Sequence, residues 1–176
     1  MLEYVKVLLC MYPKMEAEIQ EIGKRMEYRA LRSYDHTISC EKIAEELLVM
    51  RDRAEAYREV RDKMESILKR MDKKCREALG FRFFKEPMPK NVTLRTVYRR
   101  SVRGVDRVAE GLEAAGFDKE WFFRYCGRDA EMMFRYRYYR SQTPRRARSA
   151  EPKVILRTNR CPERAVSLPG AERAEG

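Results

Sequence analysis

The chain has 176 residues, 44% hydrophobic and 38% charged, with a formal net charge of +11 at pH 7. That length suits one domain plus a tail, and the charged share suits exposed helices better than a thick globule. The opening stretch from Met1 to Cys10 carries Glu3 and Lys6 and no long apolar run, so it reads as neither a signal peptide nor a membrane span.

The charge is unevenly placed. Residues 1–80 hold 17 basic against 16 acidic side chains, residues 81–140 hold 14 against 8, and residues 141–176 hold 8 against 4. An excess of cations in the C-terminal half points to a partner bearing phosphates, against the simpler alternative of a basic, soluble surface. The five cysteines, Cys10, Cys40, Cys75, Cys126 and Cys161, contain no CxxC pair. With a single histidine, His36, they give no zinc signature, and a reducing cytosol is the default compartment.

In chain order, the first segment runs from Leu2 to about Arg32. Stepping by three and four residues meets Val5, Leu8, Tyr12, Met15, Ile19, Ile22 and Met26. Pro13 interrupts the run without shifting its phase, which predicts a kink or a short break inside a helical segment. Residues 33–38 read as a short connection. His36 beside Asp35 has no nucleophile near it in sequence.

The second segment, Ser39 to Leu79, reads as one long amphipathic helix. Its seam is Ile43, Leu47, Met50, Ala54, Tyr57, Arg61, Met64, Leu68, Met71, Cys75 and Ala78, broken by Arg61 alone. That heptad-like spacing predicts a helix packed lengthwise on another. Ser39 serves as its N-cap and Gly80 as its end. Joined by a short connection, the first two helices should form an antiparallel hairpin over residues 1–80.

Pro87 and Pro89 then break regular structure, and Phe81, Phe83 and Phe84 are expected to plug the hairpin end. A third helix is expected over residues 93–115, lying across that end, with Thr93 as its cap and Gly116 as its stop. Leu94, Val97, Tyr98, Ser101, Val105, Val108 and Leu112 line one face, with Arg95, Arg99, Arg100, Arg103 and Arg107 on the opposite arc. The arginines crowd the N-terminal turns and the acids Asp106, Glu110 and Glu113 the C-terminal ones, opposite to what the helix dipole favours. Such a placement suits an anion. Local pairs such as Arg103–Asp106 or Arg107–Glu110 are the competing account of the later arginines.

The run Val92-Thr93-Leu94-Arg95-Thr96-Val97-Tyr98-Arg99-Arg100, with Leu112 beyond it, resembles the recognition helix of sigma-region-4-like, phage-type transcription regulators over about residues 92–116. The resemblance implies a helix-turn-helix in which the end of the long helix, Lys73 to Leu79, supplies the scaffold.

Two short aromatic helices should follow, capped by Asp118 and Asp129. Trp121, Phe122 and Tyr125 face inward in the first. In the second, Arg135, Arg137 and Arg140 interleave with Met132, Phe134, Tyr136, Tyr138 and Tyr139. That alternation suits nucleic acid, and equally suits arginines laid over a partner's apolar surface. From Ser141 the chain reads as a disordered basic tail, with Val154-Ile155-Leu156 as its apolar island.

No Gly-rich phosphate loop, paired-carboxylate motif or nucleophile signature is present. The sequence therefore predicts an all-α protein: a long antiparallel hairpin at 1–80, a basic helical region packed on its end at 81–140, and a tail at 141–176. The leading function is non-enzymatic association with nucleic acid, as a small sigma-like regulator. The alternative is a coiled-coil interaction protein or scaffold. No cofactor, metal or membrane partner is implied, and a monomer or weak homodimer is expected.

Overall fold

Residues 2–31 and 39–142 are described by a computed structural model, and among them regular structure is entirely helical. The expected loop at 33–38 with His36, and the expected tail beyond Gln142, lie outside the described residues.

The kink at Pro13 divides the first segment into α1 (Glu3–Met11) and α2 (Met15–Leu31), joined by a 3-10 turn at Tyr12–Lys14. The two pieces do different work. Helix α2 is buried along one stripe, Met15, Ile19 and Ile22, and pairs with α3 (Cys40–Arg70). Arg29 donates to Glu46 at 2.7 Å and Arg61 pairs with Glu16, which fixes the two helices lengthwise and antiparallel, as the seam and the short connection together predict. Apart from Glu3 and Lys6, helix α1 is apolar all round, and Tyr4, Val5, Val7, Leu8, Leu9, Cys10 and Met11 are all buried. An all-round apolar helix must be enclosed. The enclosure comes from the helices of residues 94–142 together with the far end of the long helix.

The long helix is not continuous. It stops at Arg70, and α4 (Lys73–Phe83) restarts after Met71 and Asp72. Met71 is extended, and the Asp72 carboxylate accepts a hydrogen bond from the Cys75 N–H at 3.1 Å, a new N-cap. The apolar phase survives the break: Met71, Cys75 and Ala78 are buried like Leu68 before them. Periodicity therefore described both helices as one. Nor does α4 end at Gly80. Gly80 is buried inside it, and the chain leaves only after Phe83, through Lys85 in the left-handed region at φ 61°.

Helix α5 (Leu94–Glu113) does not lie across the hairpin end. It returns antiparallel along α4 and the last turn of α3: Asp72 faces Arg107, Leu79 faces Gly104, Arg82 faces Ser101 and Ile67 faces Gly111. Glycines at 104 and 111 allow this close approach, since a Cβ on Gly104 would stand 2.9 Å from Leu79 Cγ. Gly116, at φ 85°, ends α5, and the Phe117 N–H reaches back to the Leu112 carbonyl at 2.9 Å.

Both predicted aromatic helices form, α6 (Lys119–Cys126) and α7 (Ala130–Gln142), so Ser141 and Gln142 belong to a helix. Their predicted caps are in place, Asp118 on the Trp121 N–H at 2.8 Å and Asp129 on the Met132 N–H at 3.0 Å. Phe122 is fully buried against Tyr4, while Trp121 and Tyr125 are half-buried. Arg53 of α3 joins the Tyr57 hydroxyl at 3.0 Å to Asp129 at 2.6 Å and so ties the hairpin to the start of α7. One hydrophobic cluster runs from Tyr4 through Tyr57 and Leu79 to Tyr139. Among the described residues, no helix is long and apolar enough to cross a membrane.

Candidate nucleic-acid interface

Helix α5 presents two surfaces. Its C-terminal half is pinned into the bundle by Val105, Val108, Ala109 and Leu112. Its N-terminal half begins at a formed cap, Thr93 Oγ1 accepting from the Thr96 N–H at 3.3 Å, and projects at the Arg82 end of α4. Residues 87–105 contain Lys90, Arg95, Arg99, Arg100 and Arg103 and no acidic residue.

Arg95, Arg99 and Arg103 are exposed and Arg100 is half-buried, and none forms an ion pair among the described residues. The local pairing Arg103–Asp106 does not form. Arg107 differs: its Nη1 donates to Asp72, the carboxylate that caps α4, so this arginine secures the α4–α5 contact. Hydrogen bonds, first from the Cys75 N–H and then from Arg107, hold the Asp72 carboxyl below the usual carboxylate range.

The apolar face of α5 outruns its cover. Leu94, Tyr98 and Val102 follow one another at four-residue steps and are 47%, 53% and 39% exposed. Tyr98 is nonetheless held in place. The Arg82 guanidinium lies over its ring at 4.8 Å and donates to Ser101 Oγ at 3.0 Å, and that hydroxyl donates to the Tyr98 carbonyl at 2.8 Å. Ser101 itself is fully buried. Ending α4 at Gly80 hid this arrangement from sequence reading, because Arg82 then fell outside any helix.

The α7 arginines separate into two kinds. Arg135 is 4% exposed. Its Nη2 and Nε donate to Glu131 at 2.6 and 3.2 Å, while Nη1 is buried without a partner. It belongs to the side of α7 that faces α1, where Lys14 also reaches Glu131. The sequence pattern could not separate it from its neighbours, since Arg135, Arg137 and Arg140 are equally cationic. Arg137 and Arg140 are exposed and unpaired among the described residues, with Phe134 54% exposed beside them. At the far end of α7, Lys6 Nζ lies 5.9 Å from the Tyr139 ring centre. Burial, and next the charge of Arg82, lower the Lys6 ammonium's pKa. Burial pushes the Tyr139 phenol up to about 12 against the pull of Arg82 and Arg135. Lys6 and Tyr139 thus join α1 to the far end of α7, with the charge of Arg82 near enough to act on both.

Chemically this surface can hold anions. The deepest thiol is unsuited to attack: burial pushes Cys126 up to about 12, so it stays protonated at neutral pH. Set against known protein families, curated proteins and solved structures, the chain finds no match.

Proposed function

We propose that this chain is a non-enzymatic nucleic-acid-associated protein that binds phosphates through the first half of α5. The observation that carries the reading is the set Arg95, Arg99, Arg100 and Arg103. These cations crowd the helix end where the dipole disfavours them, and no carboxylate among the described residues pairs with them. An arrangement that gives folding nothing is accounted for by an external anion. Arg137 and Arg140 extend the basic surface, whereas Arg107 is engaged by Asp72 at the surface of the α4–α5 contact and Arg135 by Glu131 in the interior.

Within that reading, the resemblance over residues 92–116 assigns the chain to the small sigma-like regulators, with α4 as scaffold and α5 as recognition helix. Residues 84–93, between α4 and α5, are longer than the turn of a typical helix-turn-helix. A coiled-coil interaction protein is the second reading. It draws support from Leu31, Leu48 and Val49, which are 69%, 49% and 53% exposed near the free end of the α2–α3 hairpin.

Fluorescence anisotropy with labelled DNA over a salt series tests the proposal. The log–log slope should be steep, roughly −0.9 per phosphate contact on duplex. Replacing Arg95, Arg99 and Arg100 together with Gln keeps helix propensity nearly constant. Affinity should fall, the slope should shrink by about one for each lost contact, and the melting temperature should hold or rise slightly. Unchanged binding, or an unfolded variant, overturns the assignment of these residues.

A further inference from the structure

Resting on the phosphate-binding reading above, but not on the duplex-reading role that the sigma-like resemblance implies for α5, we infer that the α5 surface takes single-stranded nucleic acid in preference to duplex, with Tyr98 as a base-stacking platform. The argument starts from two parallel rows. Leu94, Tyr98 and Val102 form an exposed apolar row, and Arg95, Arg99 and Arg103 form a cationic row one residue further round the helix. The rows stand about 100° apart, and each advances roughly 6 Å per four-residue step.

A ligand matched to both must offer an anionic edge and an apolar edge along the same path. A single strand does so, since its phosphates can follow the arginines while its unstacked bases lie on the apolar row. A duplex offers phosphates on the outside and keeps its bases stacked within. Docked on this helix, it would bring charged phosphate towards Leu94 and Val102 and leave the Tyr98 ring without a base face.

The ring is prepared for stacking. Arg82 covers it at 4.8 Å and is anchored on the buried Ser101 hydroxyl, so Tyr98 keeps its position while remaining 53% exposed. A base on the open side would complete an Arg82–Tyr98–base stack, combining aromatic and cation–π attraction. The exposed Phe134 on α7 has no comparable cation over its ring among the described residues.

The experiment compares labelled single strands of about 15 nucleotides with the same sequence as duplex, using the full chain. Wild type should bind the single strand more tightly. Tyr98→Ala should weaken single-strand binding about tenfold with little effect on duplex, and Tyr98→Phe, which keeps the ring, should restore it. Melting curves of both variants confirm the fold, and Leu94→Ser, which leaves the Arg82 contact alone, serves as a second variant. Tighter binding to duplex, or a Tyr98→Ala variant that binds single strand like wild type, overturns this inference and leaves the nucleic-acid reading standing. Failure to bind either form at low salt removes both. An acidic amphipathic peptide that binds in a Tyr98-dependent way where neither strand form does would assign the surface to a protein partner and overturn both.

Discussion

Arg135 shows how far a single side chain can depart from what its type suggests. Among aromatics and arginines on α7 it reads as a phosphate contact, yet it is 4% exposed and bonded to Glu131. A buried guanidinium with one unpartnered nitrogen is costly; replacing a buried ion pair by apolar side chains is often neutral or stabilising, and removing one partner is costly where the other is left buried and alone. Arg135→Met is therefore expected to fold with stability within about 1 kcal/mol of wild type or above it, because Glu131 keeps Lys14 and partial solvent contact. Its nucleic-acid affinity should be unchanged. A chemical-denaturation midpoint measures the first expectation and the anisotropy assay the second. A clear loss of binding would return Arg135 to the interface.

Among elements, the α4–α5 contact depends on how closely two backbones approach. Gly104 faces Leu79, where a methyl group would meet three side-chain carbons at 2.9 to 3.1 Å. Gly104→Ala gains about 1 kcal/mol of helix propensity but overpacks a fully buried leucine, at about 1–3 kcal/mol. It should therefore be neutral to destabilising. Gly23 is the opposite case, since nothing stands within 4 Å of its added Cβ in the middle of α2. Gly23→Ala should stabilise by about 0.5–1 kcal/mol. The difference between the two denaturation midpoints is the measurement, and equal gains would mean that α5 does not pack tightly on Leu79.

At the level of the whole molecule, acid should loosen the joints between elements. Asp72 is held below its usual range by the Cys75 N–H and Arg107. For Glu131, burial acts upward, but the hydrogen bond from Arg135 and the charge of Lys14 outweigh it and lower the pKa. A carboxylate depressed in the folded state contributes stability that is present above its unfolded value and lost as pH falls through the folded one. Glu18, raised mainly by burial, acts in the other direction and offsets part of the loss. The urea midpoint should therefore fall between neutrality and about pH 3, and Asp72→Asn should flatten that fall. A midpoint independent of pH would show these pairs to be inert. Because α2 and α3 satisfy one another's seams, light scattering at micromolar concentration should report a single chain. A stable dimer would favour the interaction-protein reading.

The sequence by itself determined the helical segments and most of their caps, although it ran α3 and α4 together. The three-four spacing marks Tyr57, Met64 and Leu68 as core, Pro13 marks the kink, and Ser39, Thr93, Asp118 and Asp129 mark the helix starts. These are local signals, since caps and periodicity depend on residues a turn apart. The cluster of cations in the first half of α5 was legible for the same reason. What tertiary structure decided is everything that depends on where a face is covered. The break at Asp72 was hidden because the apolar phase continues through it. Arg107 was drawn to Asp72, thirty-five positions away, in preference to the neighbouring Glu110. Arg135 went inside because that face of α7 meets α1, while Leu94 and Tyr98, on the nominally apolar face, stayed outside at the Arg82 end of α4. A helix carries its pattern alone, but burial is a property of two surfaces, and the second surface comes from distant parts of the chain.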